Sequence, residues 1–188
     1  PISPIDSCET VEPGIRKIRR LTRFEYDRTV TDLLGIECTY GRDFTPETMV
    51  HGFDNNADAL QVNALLADQV RTTAEKLAKE VMGNSATAWS CSSPSDAACI
   101  NARISSFGKR AFRRPLTADE VARYEGLFAL AADEDGVAAG FELVLAAFLQ
   151  SPHFLYRSEI GVLNEETVFE SDVARAVNQN IPPTALAS

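Results

Sequence analysis

The chain has 188 residues, of which 45% are hydrophobic, and this balance suits one sizeable globular domain and excludes a disordered class. Acidic residues number 27 against 18 basic ones, giving a net charge of −9. Such a surface repels nucleic acid and anionic lipid, so we predict no nucleic-acid partner. The most apolar stretch, Val137–Leu149, contains Glu142 and is too short to cross a bilayer, so we also predict no transmembrane segment.

The N-terminal part begins with a Pro- and Ser-rich stretch, and residues 1–20 are predicted to be an extended lead-in. A helix follows, because Thr22 and Glu25 form a capping box and Gly35 is a favourable helix stop. One side of this helix is apolar and is predicted to face the core: Tyr26, Val30, Leu33 and Leu34.

The second predicted helix comes after an aperiodic segment at 36–62. Asn63 is its N-cap and Gly83 ends it. Its apolar positions recur at helical spacing: Leu65, Leu66, Val70, Ala74, Leu77, Ala78 and Val81.

Three further helices complete the pattern. Ala97–Phe112 carries one apolar face, and a helix after Pro115 begins with a second capping box formed by Thr117 and Glu120. A polar hinge at 132–136 precedes the last strong helix, Val137–Gln150. Pro152 is expected to break that helix.

This pattern predicts an all-α fold, a disulfide-stapled helical bundle of about five main helices with long loops, over residues 21–160. Residues 161–188 are predicted to be a tail or the start of a following helical module.

The four cysteines are predicted to form two disulfides. Cys91 and Cys99 bracket a polar loop, and the even count leaves Cys8 and Cys38 as the second pair. Disulfides indicate an oxidising compartment, so we predict an extracytoplasmic location: periplasm, cell surface or secreted. The alternative of four buried free thiols in a cytosolic protein fits the Ser, Asp and Ala neighbours of Cys91 and Cys99 poorly. No CxxC or CxxCH occurs, so neither zinc nor covalent haem is predicted in this chain.

The stretch HGFDNNADAL, residues 51–60, resembles the first half of a calcium loop. Oxygen-bearing side chains stand at Asp54, Asn56 and Asp58, and Asp43, Glu47 or Asp68 are candidates to complete a site. The second half fails, because Ala59 and Leu65 replace the required Gly and Glu. The favoured interpretation is therefore a polar turn held by Asn and Asp bonds to the backbone and anchored to the core by Phe53.

The arginines admit structural and functional interpretations. RRLTRFEYDR interleaves arginines with aromatic residues, as nucleic-acid sites do, but its acidic residues favour an ion-paired helix. Arg113 and Arg114 precede Pro115 at a helix end, and we predict a structural clamp for a carboxylate such as Glu25 or Glu120, the alternative being a ligand anion. No catalytic residue is predicted, and His153 is expected to pack behind Pro152 rather than act as a base or haem ligand.

Four blocks, RRLTRFEYDRTVTDLLG, GFDNNADAL, FGKRAFRRPLTADEVARY and LQSPHFLYRSEIG, follow one another in the chain. Together they resemble domains of unknown function in large secreted proteins of planctomycetes and myxobacteria, often found near c-type cytochrome modules. The resemblance implies an extracytoplasmic setting and a chain that is one part of a larger protein. Any haem would then come from a partner or another segment.

The leading functional hypothesis is a non-catalytic structural or interaction module that packs against the remainder of a larger polypeptide or an assembly partner. The alternative is part of an envelope redox or hydrolytic enzyme whose centre lies elsewhere. A third is a calcium-stabilised adhesion module. An enzymatic role is thus left open, and no cofactor is predicted in this chain apart from the calcium candidate.

Overall fold

The computed structural model describes residues 18–85 and 89–157, within which Arg19–Arg157 forms a compact unit. This part of the chain is predominantly helical, and the predicted all-α class is confirmed. Its helices are α1 (Arg23–Leu34), α2 (Ala64–Ser85), α3 (Ala97–Phe112), α4 (Ala118–Asp135), α5 (Val137–Gln150) and α6 (Pro152–Leu155). None of these described helices combines the length and hydrophobicity that a membrane span needs.

The predicted helix starts are confirmed, because each depends on contacts within a few residues. Thr22 and Thr117 both cap their helices through complete capping boxes. The Oδ1 of Asn63 accepts a hydrogen bond from Leu66 N at 2.8 Å at the start of α2. Gly35 ends α1 with φ 71°, a left-handed conformation in which glycine is not strained.

Two predicted helix ends are wrong, in both cases because the helix is longer. α2 passes through Gly83 to Ser85, since glycine in a helix interior is tolerated at a cost of ~1 kcal/mol. α4 runs to Asp135 because Ala132 is buried and extends its inner face, so the predicted hinge at 132–136 is reduced to Gly136. Leu65 is also corrected: it is 60% exposed, and Leu66 is the buried residue of that turn.

The core is organised around α5, which packs against both α2 and α4. Gly140 permits the close approach of α4, because a Cβ at that position would lie 2.6 Å from the Phe128 ring. The buried residues of α5 are Gly140, Phe141, Val144, Leu145, Ala146, Phe148 and Leu149. They remove a broad apolar surface from water, which is the main driving force for this packing.

A two-stranded ladder joins the start and the end of the compact unit. β1 (Arg19–Arg20) pairs antiparallel with β2 (Tyr156–Arg157), and Leu21 N donates to Leu155 O at 2.7 Å. Strands this short have no alternating pattern that a sequence could reveal. The first strand of the ladder lies in the predicted lead-in at residues 1–20. The rest of that lead-in, residues 1–17, lies outside the described residues, and so does the predicted tail at 161–188.

Candidate functional site

α1 and α4 begin with the same pattern, R-x-L-T-x-x-E, which spans Arg19–Glu25 and Arg114–Glu120. In each copy the threonine is the N-cap and the glutamate is the third helical residue. Sequence reasoning identified both capping boxes and predicted Arg114 as a carboxylate clamp, but it missed the same role for Arg19 and the repetition of the arginine three residues before each threonine. The repetition of that arginine was the available signal.

In the first copy, the Nη1 and Nη2 of Arg19 donate to the two carboxylate oxygens of Glu25 at 2.7 and 2.8 Å. Thr22 N donates to the same carboxylate at 2.9 Å. The hydrogen bonds from Arg19 are the main reason that the pKa of Glu25 is lowered to about 2. The Glu25 side chain is 31% exposed, so water still reaches this pair.

The second copy repeats these contacts around a more buried carboxylate, although its arginine is more exposed, at 27% for Arg114 against 15% for Arg19. Arg114 Nη1 and Nη2 donate to the carboxylate of Glu120 at 2.8 and 2.7 Å, and Thr117 N donates to it at 2.8 Å. The Glu120 side chain is only 3% exposed. Burial by itself raises the pKa of this carboxyl, but the hydrogen bonds from Arg114 and Thr117 outweigh burial and lower it to about 2.

His153 lies beside the second copy, on α6. Its Nε2 is 3.8 Å from Glu120 Oε1, and its ring centroid is 5.1 Å from that of Phe112. The hydroxyl of Ser151 accepts a hydrogen bond from His153 N at 3.3 Å and so caps α6. These contacts hold the start of α6 beside the Arg114–Glu120 pair.

A group of arginines meets at the strand ladder. Arg157 lies opposite Arg19, and Arg113 Nη1 lies 3.5 Å from Phe154 O. Burial lowers the pKa of Arg113, and the charge of Arg157 lowers it further. Arg113 also has φ 62°, a left-handed conformation that is unusual for a residue with a side chain. Of the two predicted clamp residues, Arg114 therefore contacts a carboxylate and Arg113 contacts a backbone carbonyl.

A buried glutamate on the loop before α2 holds the start of α1. Glu47 Oε1 accepts a hydrogen bond from Arg23 N at 2.7 Å and lies 3.5 Å from Arg20 Nη2. Its side chain is 4% exposed. Sequence reasoning named Glu47 only as a candidate calcium ligand, because its partners lie 24 or more residues earlier and share no local pattern with it.

The loop of the calcium hypothesis contains a turn. Asn56 Oδ1 accepts a hydrogen bond from Asp58 N at 2.9 Å, and Asn56 O accepts one from Leu60 N at 3.1 Å. In the part of the chain that the structure describes, no three His, Cys, Asp or Glu side chains are grouped to hold a metal. Calcium binding by Asp54, Asn56 and Asp58 stays a prediction.

Phe53 does not anchor this loop, and that prediction is wrong. Its side chain is 66% exposed, whereas Leu60 at the end of the turn is 2% exposed. The anchor therefore follows the turn instead of preceding it.

The cysteines differ in their states. The predicted Cys91–Cys99 disulfide is confirmed, and it ties the segment after Trp89 to the first turn of α3. Cys38 is instead a free, buried thiol whose Sγ lies 3.3 Å from Asp27 Oδ1, and burial raises its pKa to about 12. The predicted bridge to Cys8 is therefore not formed at Cys38, and Cys8 lies outside the described residues.

Comparison with protein families accounts for most of the compact unit. Residues 19–83 match the model described as "PSD3: Protein of unknown function (DUF1587)", and residues 99–159 match "PSD5: Protein of unknown function (DUF1595)". The chain is thus similar to two families of unknown function over different segments. The segment that matches DUF1587 contains the Arg19–Glu25 motif, and the segment that matches DUF1595 contains the Arg114–Glu120 motif. No curated protein and no solved structure shows a significant match.

Proposed function

We propose that this chain is a non-catalytic helical module that packs against the rest of a larger secreted or cell-surface polypeptide, or against an assembly partner. The observation that carries the proposal is that the buried and partly buried charged residues bind other parts of the chain. Two arginine–glutamate pairs hold the starts of α1 and α4, namely Arg19–Glu25 and Arg114–Glu120. Glu47 links the loop before α2 to the start of α1. Side chains engaged in this way stabilise a scaffold and are not available to a substrate.

The exposed apolar side chains supply a surface for that packing. Among the described residues, four of the seven large hydrophobic side chains that are exposed lie between residues 49 and 65. They are Met49 at 60%, Phe53 at 66%, Val62 at 36% and Leu65 at 60% exposed. Exposed apolar side chains concentrated in one segment are typical of protein interaction sites. We therefore assign the docking role to residues 49–65.

The location is part of the proposal. The Cys91–Cys99 disulfide supports an oxidising compartment, because cytosolic thiols are kept reduced. The resemblance to secreted planctomycete and myxobacterial proteins supports the same location, and it places c-type cytochrome modules among the candidate neighbours.

Hydrogen exchange tests the docking role. Amide exchange of residues 49–65 is measured in the isolated chain and in the natural precursor polypeptide, with α5 as the internal control. We expect at least about tenfold slower exchange of residues 49–65 in the precursor and no change in α5. Equal exchange in the two samples, or a precursor with no sequence beyond this chain, contradicts the proposal. A haem or metal spectrum that changes when residues of this chain are substituted contradicts its non-catalytic part.

A further inference from the structure

A cleft of about 630 Å³ opens between α3 and the ends of α1 and α2. Its volume falls in the range of small-molecule sites. The cleft has an apolar wall formed by Leu33, Leu34, Val81, Trp89 and Phe107. Such a wall favours the apolar part of a ligand, because binding removes both surfaces from water.

Two arginines also line this cleft. Arg103 and Arg110 lie two helical turns apart on α3 and therefore on one face. Arg110 Nη2 donates to Leu33 O at 2.8 Å, which holds it at the end of α1. Arg103 is exposed and makes no hydrogen bond or ion pair with any described residue. No acidic side chain of the described residues lines the cleft, so no carboxylate there neutralises the charge of Arg103.

We propose that this cleft binds a small amphipathic anion, a molecule with an extended apolar body and one carboxylate head. The apolar wall takes the body, and Arg103 takes the head through charge-assisted hydrogen bonds, with Arg110 adding a second positive charge. The chain carries a net charge of −9, so this preference for an anion is a property of the cleft and not of the whole surface. None of residues 49–65 lines the cleft, so the inference is independent of the docking role.

The disulfide restrains the apolar wall of the cleft before any ligand binds. Cys99 lines the cleft, and its bond to Cys91 restrains the short segment that carries Trp89. The Trp89 ring packs 4.9 Å from Phe107 and 5.6 Å from Phe141, centroid to centroid. A wall formed in advance reduces the ordering that binding requires. Reduction of the disulfide is therefore expected to weaken binding.

Trp89 also provides the assay, because it is the single tryptophan of the chain. Decanoate is titrated below its micelle concentration while Trp89 fluorescence is recorded, with decanol as the uncharged match. We expect a saturable fluorescence change and affinity for decanol about tenfold weaker. Arg103→Gln should weaken decanoate binding by about tenfold, ~1.4 kcal/mol, with no change in far-UV circular dichroism. Lys109→Gln removes the same charge from the same helix outside the cleft, and should leave the affinity unchanged.

The result that overturns the proposal is equal affinity for decanoate and decanol, equal effects of the two variants, or no saturable change. Ala102→Glu gives a second test that lowers the charge of the site from +2 to +1, because Ala102 also lines the cleft and is next to Arg103 in the chain. It should weaken decanoate binding and reduce the preference for decanoate over decanol. Unchanged decanoate affinity in a folded Ala102→Glu protein also contradicts the proposal.

Discussion

Glu25 and Glu120 accept the same hydrogen bonds, from an arginine side chain and from the backbone N–H of an N-cap threonine. Their surroundings differ. The Glu25 side chain is 31% exposed at the strand ladder, whereas that of Glu120 is 3% exposed beside His153 and α6. The sequence pattern R-x-L-T-x-x-E thus determines the hydrogen bonds, and the tertiary environment determines how much their loss costs.

Burial separates the two copies energetically. A partly exposed ion pair contributes little, because water competes with each partner and salt screens the charges. Removal of the buried Glu120 carboxylate costs more, because water competes less for its hydrogen bonds and its packed volume is left empty. The comparison therefore predicts a strong second copy and a weak first one.

The largest expected effect is that of Glu120→Ala. It removes the acceptor for Arg114 and Thr117 N, and should lower the free energy of unfolding by ~3 kcal/mol. Glu25→Ala is the matched variant and should cost ~1 kcal/mol. Urea unfolding followed by circular dichroism measures both. Equal losses would show that burial does not distinguish the copies.

Reduction of Cys91–Cys99 should lower the free energy of unfolding by ~2–3 kcal/mol, because the bridge closes a short loop and restricts the unfolded chain. It should destabilise the wild type and both glutamate variants equally, since the disulfide lies outside both motifs. A Cys91→Ser, Cys99→Ser double variant measured without reductant is the control. If reduction changed the difference in unfolding free energy between the Glu25 and Glu120 variants, the disulfide would be energetically coupled to one of the two motifs.

Acid should destabilise the protein through Glu25 and Glu120. In the folded state the pKa of both carboxyls is about 2, whereas the ordinary value for glutamate is 4.5. The folded state therefore binds fewer protons than the unfolded state. Their stabilisation is complete above pH 4.5 and is lost as the pH falls towards 2. For Glu120 the loss is on the order of 2 kcal/mol. Glu120→Gln and Glu25→Gln should each flatten the stability profile between pH 5 and 2, and an unchanged profile in either variant would contradict this account.

The smallest effects are expected at the threonines, where the ranking is reversed. Thr22 is 4% exposed, whereas Thr117 is exposed. Removal of either cap should cost ~1 kcal/mol, and Thr22→Ala should cost more because it also leaves a small cavity. Thermal unfolding of Thr22→Ala and Thr117→Ala measures the difference. A larger loss for Thr117→Ala would mean that burial of the threonine is irrelevant.

Local signals in the sequence predicted the helices well. Three helices are capped through contacts within three residues, by Thr22, Asn63 and Thr117. Short sequence patterns are therefore sufficient to predict where these helices begin. Long-range partners were not predictable in this way. Glu47 reaches Arg23 across 24 residues, and the exposure of Phe53 depends on which residue of the loop meets the core.

The candidate site was predicted only in part for the same reason. Arg113 and Arg114 were predicted as a clamp at a helix end, with Glu25 or Glu120 as candidate partners, and Glu120 is the partner of Arg114. The arrangement of Arg113, Arg157 and Glu25 was not predictable, because it requires both ends of the compact unit. The cleft was missed because its lining comes from three helices and Trp89. Periodicity within one helix does not reveal which neighbour it faces.

The most direct test of the account is a pair of double-mutant cycles. Arg114→Met and Glu120→Gln are combined in one cycle, and Arg19→Met and Glu25→Gln in the other, with unfolding free energies measured at neutral pH. We predict a coupling energy of ~2 kcal/mol for Arg114–Glu120 and at most ~1 kcal/mol for Arg19–Glu25. Coupling near zero at Arg114–Glu120 would contradict the claim that the charged residues of this chain serve to hold its helices in place.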